Sequence, residues 1–391
     1  MNSDKDIVIT SAFRTAIGSF QGSLKDHKAT ELGTAVVKKC MEHSNLNGSE
    51  VDTVILGQVL QTGCGQNPAR QAAINSGIDK DKTATTINQV CGSGLAAVTL
   101  GFSSVKLNDS NIVIAGGQES MTNSPHYLNY RIVKNLSEEK LKDSMLIDGL
   151  IDAYDDYHMG VTAENVAEKY QITRNDQDNF ALNSQKKAIK AISENRFKEE
   201  IVPIKLKDQK IFDKDEYPRS DTNLEKLSNL KTVFKENGTV TAGNASGLND
   251  GAAAVTLMNY KTSKDKGLKP IAKIVSWSQS GVDPKLMGTG PIPASKLALK
   301  KAGWNIKDLD LVESNEAFAA QSIAVIKELG LKEDIVNVNG GAIALGHPIG
   351  ASGARIVVTL IHEMQKRKFK KGLATLCIGG GMGISMCIEN I

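Results

Sequence analysis

The sequence predicts an α/β fold made of two copies of one strand-and-helix unit, with a polar segment set between them. Three observations lead there. Strand and helix patterns alternate through the first third of the chain, the same rhythm returns in the last third, and the stretch between has a different composition. In the first third, Ile7 to Ser11, Thr53 to Gln58, Thr83 to Val90 and Asn111 to Ala115 read as strands. Helical spacing of apolar residues separates them at Thr30 to Ser44, Pro68 to Ser76 and Gly94 to Leu107. Late in the chain the strands are Ala272 to Ser278, Leu309 to Glu313, Ile335 to Val338 and Leu373 to Ile378. The helices there are Ala294 to Ala302, Ala317 to Leu329 and Ala351 to Lys366.

Each half contains a strand, a glycine-rich turn with a reactive residue, an apolar helix, a second strand and a glycine cluster. The early set runs Ile87 to Cys91, Leu95 to Leu107, Ile112 to Ala115 and Gly116-Gly117. The late set runs Val336 to His347, Ala351 to Lys366, Ala374 to Ile378 and Gly379-Gly380-Gly381. Internal duplication is the economical explanation. Residues 1–118 with about 250–270 then form one half and residues 271–391 the other. Residues 119–249 form an insertion laid over the core, with helices at Ala163 to Tyr170 and Arg174 to Asn195, the second opened by a Thr173-x-x-Asp176 cap. The small-residue run Val240 to Asp250 reads as a loop that lets backbone approach a ligand.

Bulk properties narrow the function. With 40% hydrophobic and 23% charged residues over 391 positions, the composition is that of a globular enzyme. Lys and Arg number 47 against 44 Asp and Glu, and a net charge of +3 argues against a nucleic-acid partner. Apolar runs are only a few residues long, so no membrane span is expected. Met1 to Asp6 shows no leader pattern, which points to the cytoplasm. Five widely spaced cysteines without a C-x-x-C pair indicate neither a disulfide framework nor a metal site.

Cys91, in Asn88-Gln89-Val90-Cys91-Gly92-Ser93-Gly94, falls at a strand-to-helix turn. Free backbone N–H groups at a helix start favour a thiolate there, and the flanking glycines admit a substrate. Taken alone, a cysteine beside an apolar helix is more often a small core residue. Three later runs bear on the choice: Asn315-Glu316-Ala317-Phe318, Gly346-His347-Pro348, and Cys377-Ile378-Gly379-Gly380-Gly381. Singly these read as a helix cap, a turn histidine and a buried strand residue.

Together and in this order, these motifs resemble the thiolase family along the whole chain, most closely its biosynthetic acetyl-CoA acetyltransferase branch. Arg14-Thr15-Ala16-Ile17-Gly18, Gly65 to Gln71, Tyr157-His158-Met159-Gly160 and Ala242 to Asp250 share the likeness. The resemblance implies duplicated βαβαβαββ halves in a five-layered α-β-α-β-α core, and a homotetramer arranged as a dimer of dimers. It also implies reversible Claisen condensation of two acetyl-CoA to acetoacetyl-CoA and CoA, with coenzyme A thioesters as substrates and no permanently bound cofactor.

Such a reaction needs an acyl-holding nucleophile, a base for the α-proton and donors for two oxyanions. By motif, Cys91 is the nucleophile, Cys377 the acid/base, and His347 with a water held by Asn315 the first oxyanion site. His347 also serves to activate Cys91. Backbone N–H groups of Cys91 and Gly379 make the second oxyanion site. Ser246 and Ala242 would meet the pantetheine arm, with Leu150, His158, Met159, Ala317 and Phe318 around it. Arg219 would lie near the nucleotide, and Met159 and Met287 would narrow the acyl pocket.

Competing expectations are a degradative thiolase for longer chains, a decarboxylating 3-ketoacyl synthase, and a non-catalytic acyl-CoA-binding or redox-sensing protein pairing Cys91 with Cys377. The synthases usually set two histidines, or a histidine and an asparagine, against their cysteine, where this chain offers a second thiol. Cys40, Cys64 and Cys387 read as structural, and His27, His43, His126 and His362 as surface residues.

Overall fold

The computed structural model describes residues 3–131 and 140–391, so part of the insertion lies outside the described residues. The first half runs β1 (Ile7–Thr15), α1 (Ala29–His43), β2 (Thr53–Gly57), α2 (Pro68–Asn75), β3 (Thr83–Ile87), α3 (Ser93–Lys106) and β4 (Ile112–Ser120). The insertion carries α4 (Met159–Tyr170) and α5 (Arg174–Ser193), and the chain then returns to the core as β5 (Asn249–Asn259). The second half follows as β6 (Ala272–Gly281), α6 (Pro291–Ala302), β7 (Leu311–Ser314), α7 (Ala319–Leu329), α8 (Ser352–Arg367), β8 (Lys371–Ile378) and β9 (Met382–Asn390).

The duplication is visible in the strand order. The first half reads β3-β2-β4-β5-β1, pairing parallel, parallel, antiparallel and antiparallel. The second reads β7-β8-β9-β6 with the matching senses, and Val336 makes a parallel bridge to Val312 where the outermost strand belongs. Within the sheet the halves join at Val8–Lys273 and Ile9–Ala272, giving an eleven-stranded sheet once the short pairs Gly18–Ser19 and Ile201–Val202 are included. Apolar faces of α1 and α2 pack on the first half and those of α6 and α7 on the second. Leu95, Val98 and Val105 of α3 and Ile356, Val357 and Leu360 of α8 fill the layer between, so the stack is α-β-α-β-α.

Glycine sets how closely the central helices meet. A Cβ on Gly353 would stand 2.4 Å from the Leu95 nitrogen, and one on Gly94 would stand 2.8 Å from the Ala354 nitrogen. Both neighbours are backbone and cannot swing away. Gly353→Ala is therefore expected to lower stability by about 2–3 kcal/mol, as overpacking does. The denaturation midpoint reports this, and an unchanged midpoint would mean that the helices can part without cost.

Two expectations need correction. Ile335 to Val338 is not a strand: Glu333–Ile335 is a 3-10 turn and Asn337 has φ of 44°. The Asn337 side chain replaces the missing ladder by donating to the Ser314 carbonyl and accepting from the Ser314 N–H, both at 2.8 Å. Asn249–Asn259 and Met382–Asn390, not anticipated as strands, are central ones. Both are buried almost throughout, so no polar alternation marks them, and Gly116 sits so close to β5 that a Cβ would meet the Ala253 carbonyl.

The Thr173 cap forms as expected, with Asp176 returning the bond to the Thr173 N–H. Arg14 anchors the insertion. Fully buried on β1, it pairs with Glu200 at 2.6 Å and with both oxygens of Asp215 at 2.7 and 2.9 Å, and lies over the Phe197 ring. His362 is not a free surface residue, since its Nε2 meets the Ala12 carbonyl at 2.8 Å. Among the described residues no helix is long and apolar enough to cross a membrane, and no cluster of His, Cys, Asp and Glu is suited to a metal.

Candidate active site

Three glycine-bearing turns converge under one pocket of about 340 Å³. The first holds Cys91 just before α3. Val90 there has φ of 45°, a conformation that costs a β-branched residue energy and marks a constrained turn. Local bonds impose it: the Val90 N–H donates to Asn88 Oδ1, and the Ser93 hydroxyl donates to the Val90 carbonyl while accepting from the Gln89 N–H. A Cβ on Gly92 would collide with Ile378 of β8, so the turn lies against the strand that carries Cys377.

Burial pushes the Cys91 thiol up to about 11, against the pull of the Gly379 N–H and its own backbone N–H. The thiolate favoured by the helix start is therefore not the resting form. Cys377 is fully buried, and its thiol is raised further by burial and by the neighbouring Cys91. A base must act when either sulfur is called upon.

The second turn carries a neutral histidine. His347 is 5% exposed, and burial with the charge of Arg355 holds it down to about 3, so it is neutral at physiological pH. Ser352 donates its hydroxyl to the Pro348 carbonyl at 2.9 Å and hence receives the His347 Nδ1–H at 2.6 Å. That leaves Nε2 as a bare acceptor beside Asn315 Nδ2, 3.5 Å away. Asn315 Oδ1 is buried without a protein partner. The turn is held by Asn249, which accepts from the His347 N–H and donates to the Gly18 carbonyl. Gly346, at φ of 107°, leaves room for Asn249.

Cys91, His347, Gly379, Leu150, His158, Met159, Ala242, Ser246, Met287, Ala317 and Phe318, all picked from sequence, line the pocket together. Cys377 lies behind this wall, packed with Met159, Met287 and Phe318, and Asn315 is buried beside His347. Arg219 is not on the pocket. It lines an adjoining cavity of about 250 Å³ with Lys226, Tyr217 and Ala242, the last two also lining the main pocket.

The insertion reaches the core here. The Ser246 N–H donates to the Ala317 carbonyl, the Ala319 N–H to the Asn244 carbonyl, and Ala245 bridges Phe318. Glu316, fully enclosed, accepts from Ser184, Asn337 and the Ile343 N–H, fixing the loop beneath. His158 accepts the Gly160 N–H through Nδ1, so its proton sits on Nε2, and its ring stacks on Phe234 at 4.6 Å. Sequence reasoning did not single out Phe234, Tyr217, Met121, Ile349, Ser352 or Asn249. The first four are isolated apolar or aromatic residues in unremarkable runs, Ser352 acts through local bonds to His347 and Pro348, and Asn249 through long-range ones.

A family model described as the thiolase N-terminal domain matches residues 7–261, and one described as the thiolase C-terminal domain matches 268–390. The chain is 55% identical to a Rhizobium meliloti protein named acetyl-CoA acetyltransferase, covering 100% of both chains. A Pseudomonas aeruginosa protein of the same name is also 55% identical, over 98% of this chain and 99% of its own. The fold superimposes on a crystal structure of the Bacillus anthracis acetyl-CoA acetyltransferase with a TM-score of 0.97, at 46% identity and 99% coverage of each. With both halves matched and the paired thiols, histidine and asparagine gathered at one pocket, the chain belongs to the thiolase family.

Proposed function

We propose that this protein catalyses the reversible condensation of two acetyl-CoA into acetoacetyl-CoA and CoA through an acetyl group carried on Cys91. The observation that carries the reading is a thiol and a neutral histidine on the wall of one apolar pocket, with a second, buried thiol, Cys377, beside Cys91. In acylation, Cys91 sulfur attacks the first thioester while its proton passes to His347 Nε2. The departing CoA sulfur takes the proton of Cys377.

The acyl-enzyme then holds an imidazolium and a thiolate side by side, each offsetting the cost of burying the other. Cys377 sulfur removes the α-proton of the second acetyl-CoA. The resulting enolate oxygen faces the Nε2–H and a water held by Asn315, while the N–H groups of Cys91 and Gly379 receive the oxyanion on the acyl carbon. Carbon–carbon bond formation expels Cys91, which recovers its proton from Nε2. Every proton is returned, so the cycle needs no outside acid.

The insertion, 119–249, is the CoA-binding segment in this reading, with Arg219 and its cavity receiving the nucleotide end. The substrates are coenzyme A thioesters, and the mechanism asks for no permanently bound cofactor. The family resemblance supports a cytoplasmic homotetramer, a dimer of dimers. The unpaired edge of β3, with Thr83 and Thr85 exposed, is a natural seam for one of its interfaces.

Met159 and Met287 press on the pocket beside Cys91, which favours a two-carbon acyl group. A panel of 3-ketoacyl-CoA substrates with free CoA tests this, read as kcat/KM against chain length. A steep fall beyond four carbons is expected, and a flat or rising profile would replace the acetoacetyl assignment with a degradative one.

A further inference from the structure

Glu119, fully buried at the end of β4, has no part in the chemistry above, yet three backbone donors from two separate loops converge on it. Its Oε2 accepts from the Val59 N–H at 2.9 Å and from the Gly350 N–H at 2.9 Å, and its Oε1 accepts from the Leu60 N–H at 3.2 Å. One loop follows β2, and the other carries His347. A Cβ on Gly350 would stand 2.6 Å from Oε2, so the loop is drawn tightly onto the carboxylate. Val59, Leu60 and Ile349, the neighbours of these donors, form with Met121 the apolar wall on which Cys91 packs.

We infer that Glu119 is a positioning residue for acyl transfer: its carboxylate fastens the wall behind Cys91 to the loop of His347 and so fixes how the two catalytic groups face each other. The inference rests on the thiolase reading of the site. Protonation would weaken the tie, because a neutral carboxylic acid is a poorer acceptor for the three N–H groups than the charged carboxylate. Burial and the charge of Asp250 on the adjacent strand raise Glu119 to about 7, against those three donors. The titratable groups facing it are Asp250 from β5, Cys91 from the turn before α3, Cys64 from the loop beyond Leu60, and His347 across Gly350. Of these, Cys91 is pushed up to about 11 and His347 down to about 3, and burial raises the Cys64 thiol.

The test is acetoacetyl-CoA thiolysis by wild type, E119Q and E119D across about pH 6 to 9, with kcat corrected for the fraction of Cys91 that accepts an acetyl group. Wild type should show kcat rising with pH through about 7 as the carboxylate forms. E119Q should lose kcat about tenfold at the upper end, keep KM for CoA within about twofold, and lack the rising limb. E119D, charged but too short to reach both loops, should lose kcat yet keep a limb.

An E119Q enzyme with wild-type kcat and an unchanged limb would overturn the inference, as would a variant that merely unfolds at lower temperature. Should E119Q not fold, wild type decides, and a profile flat across that range would sink the proposal. A wild-type protein that cleaves no acetoacetyl-CoA at all would instead overturn the functional reading.

Discussion

Cys91→Ala is expected to abolish acetoacetyl-CoA thiolysis, lowering kcat by roughly 10⁴ to 10⁶ as loss of a covalent nucleophile does. The size of the effect follows from the surroundings. Cys91 is the thiol that lines the pocket, whereas Cys377 is buried beside it, packed with Met159, Met287 and Phe318. Nothing else there can hold the acyl group between half-reactions. Removing the sulfur leaves the fold intact, because Cys91 is only partly buried and its turn is held by Asn88 and Ser93. Substrate binding should thus survive while turnover does not. Steady-state kinetics with isothermal titration of CoA measure both, and a variant with a tenth of wild-type kcat would remove Cys91 from the nucleophilic role.

His347→Ala is the second large effect, with kcat expected to fall by at least two orders of magnitude. One oxyanion donor is worth roughly 3 kcal/mol, and loss of the base for Cys91 adds to it. The histidine's state makes the loss felt at all working pH values. Burial and Arg355 keep it neutral down to about pH 3, so Nε2 stands ready to accept without first shedding a proton. The same depression has a thermodynamic sign. The unfolded chain, with an ordinary histidine, binds a proton more readily than the folded one. This group's contribution to stability is present above the ordinary histidine pKa and is lost as pH falls toward about 3. The variant should be impaired in both half-reactions, visible as slow acetylation of Cys91 in a single-turnover experiment. Acetylation at the wild-type rate would confine His347 to the condensation step.

Much of this site was legible in the sequence because its groups sit beside glycine. Gly92, Gly346 and Gly379 mark turns where the backbone comes close to a neighbour (Ile378, Asn249 and Val90), and each turn puts Cys91, His347 or Gly379 itself on the pocket wall. The repeated strand-and-helix rhythm of the two halves was legible from alternating apolar runs. What escaped was of two kinds. Strands β5 and β9 are small-residue or wholly buried stretches whose two faces look alike, so no period betrays them. Glu119 and Asn249 are ordinary polar residues whose importance lies in partners far away in the chain: Glu119 bonds Gly350 across 231 positions and Asn249 bonds His347 across 98. Sequence spacing carries no trace of such pairings. The state of Cys91 also eluded it, since a helix start argues for a thiolate and only the packed structure shows how burial reverses that.

The narrow join between the two halves has a consequence for how the enzyme is built and can fail. Cys91 belongs to one copy of the repeat, and His347, Asn315 and Cys377 to the other, so each copy alone is chemically incomplete. The sheets meet through Val8–Lys273 and Ile9–Ala272 only, and the central helices touch through Gly94 and Gly353. Alignment of donor and acceptor is thereby a property of a seam, the central layer that both halves share. A displacement there of about 1 Å is enough to cost some hundredfold in rate. The most damaging substitutions outside the pocket should cluster along that seam, and they should slow the reaction before they unfold the protein.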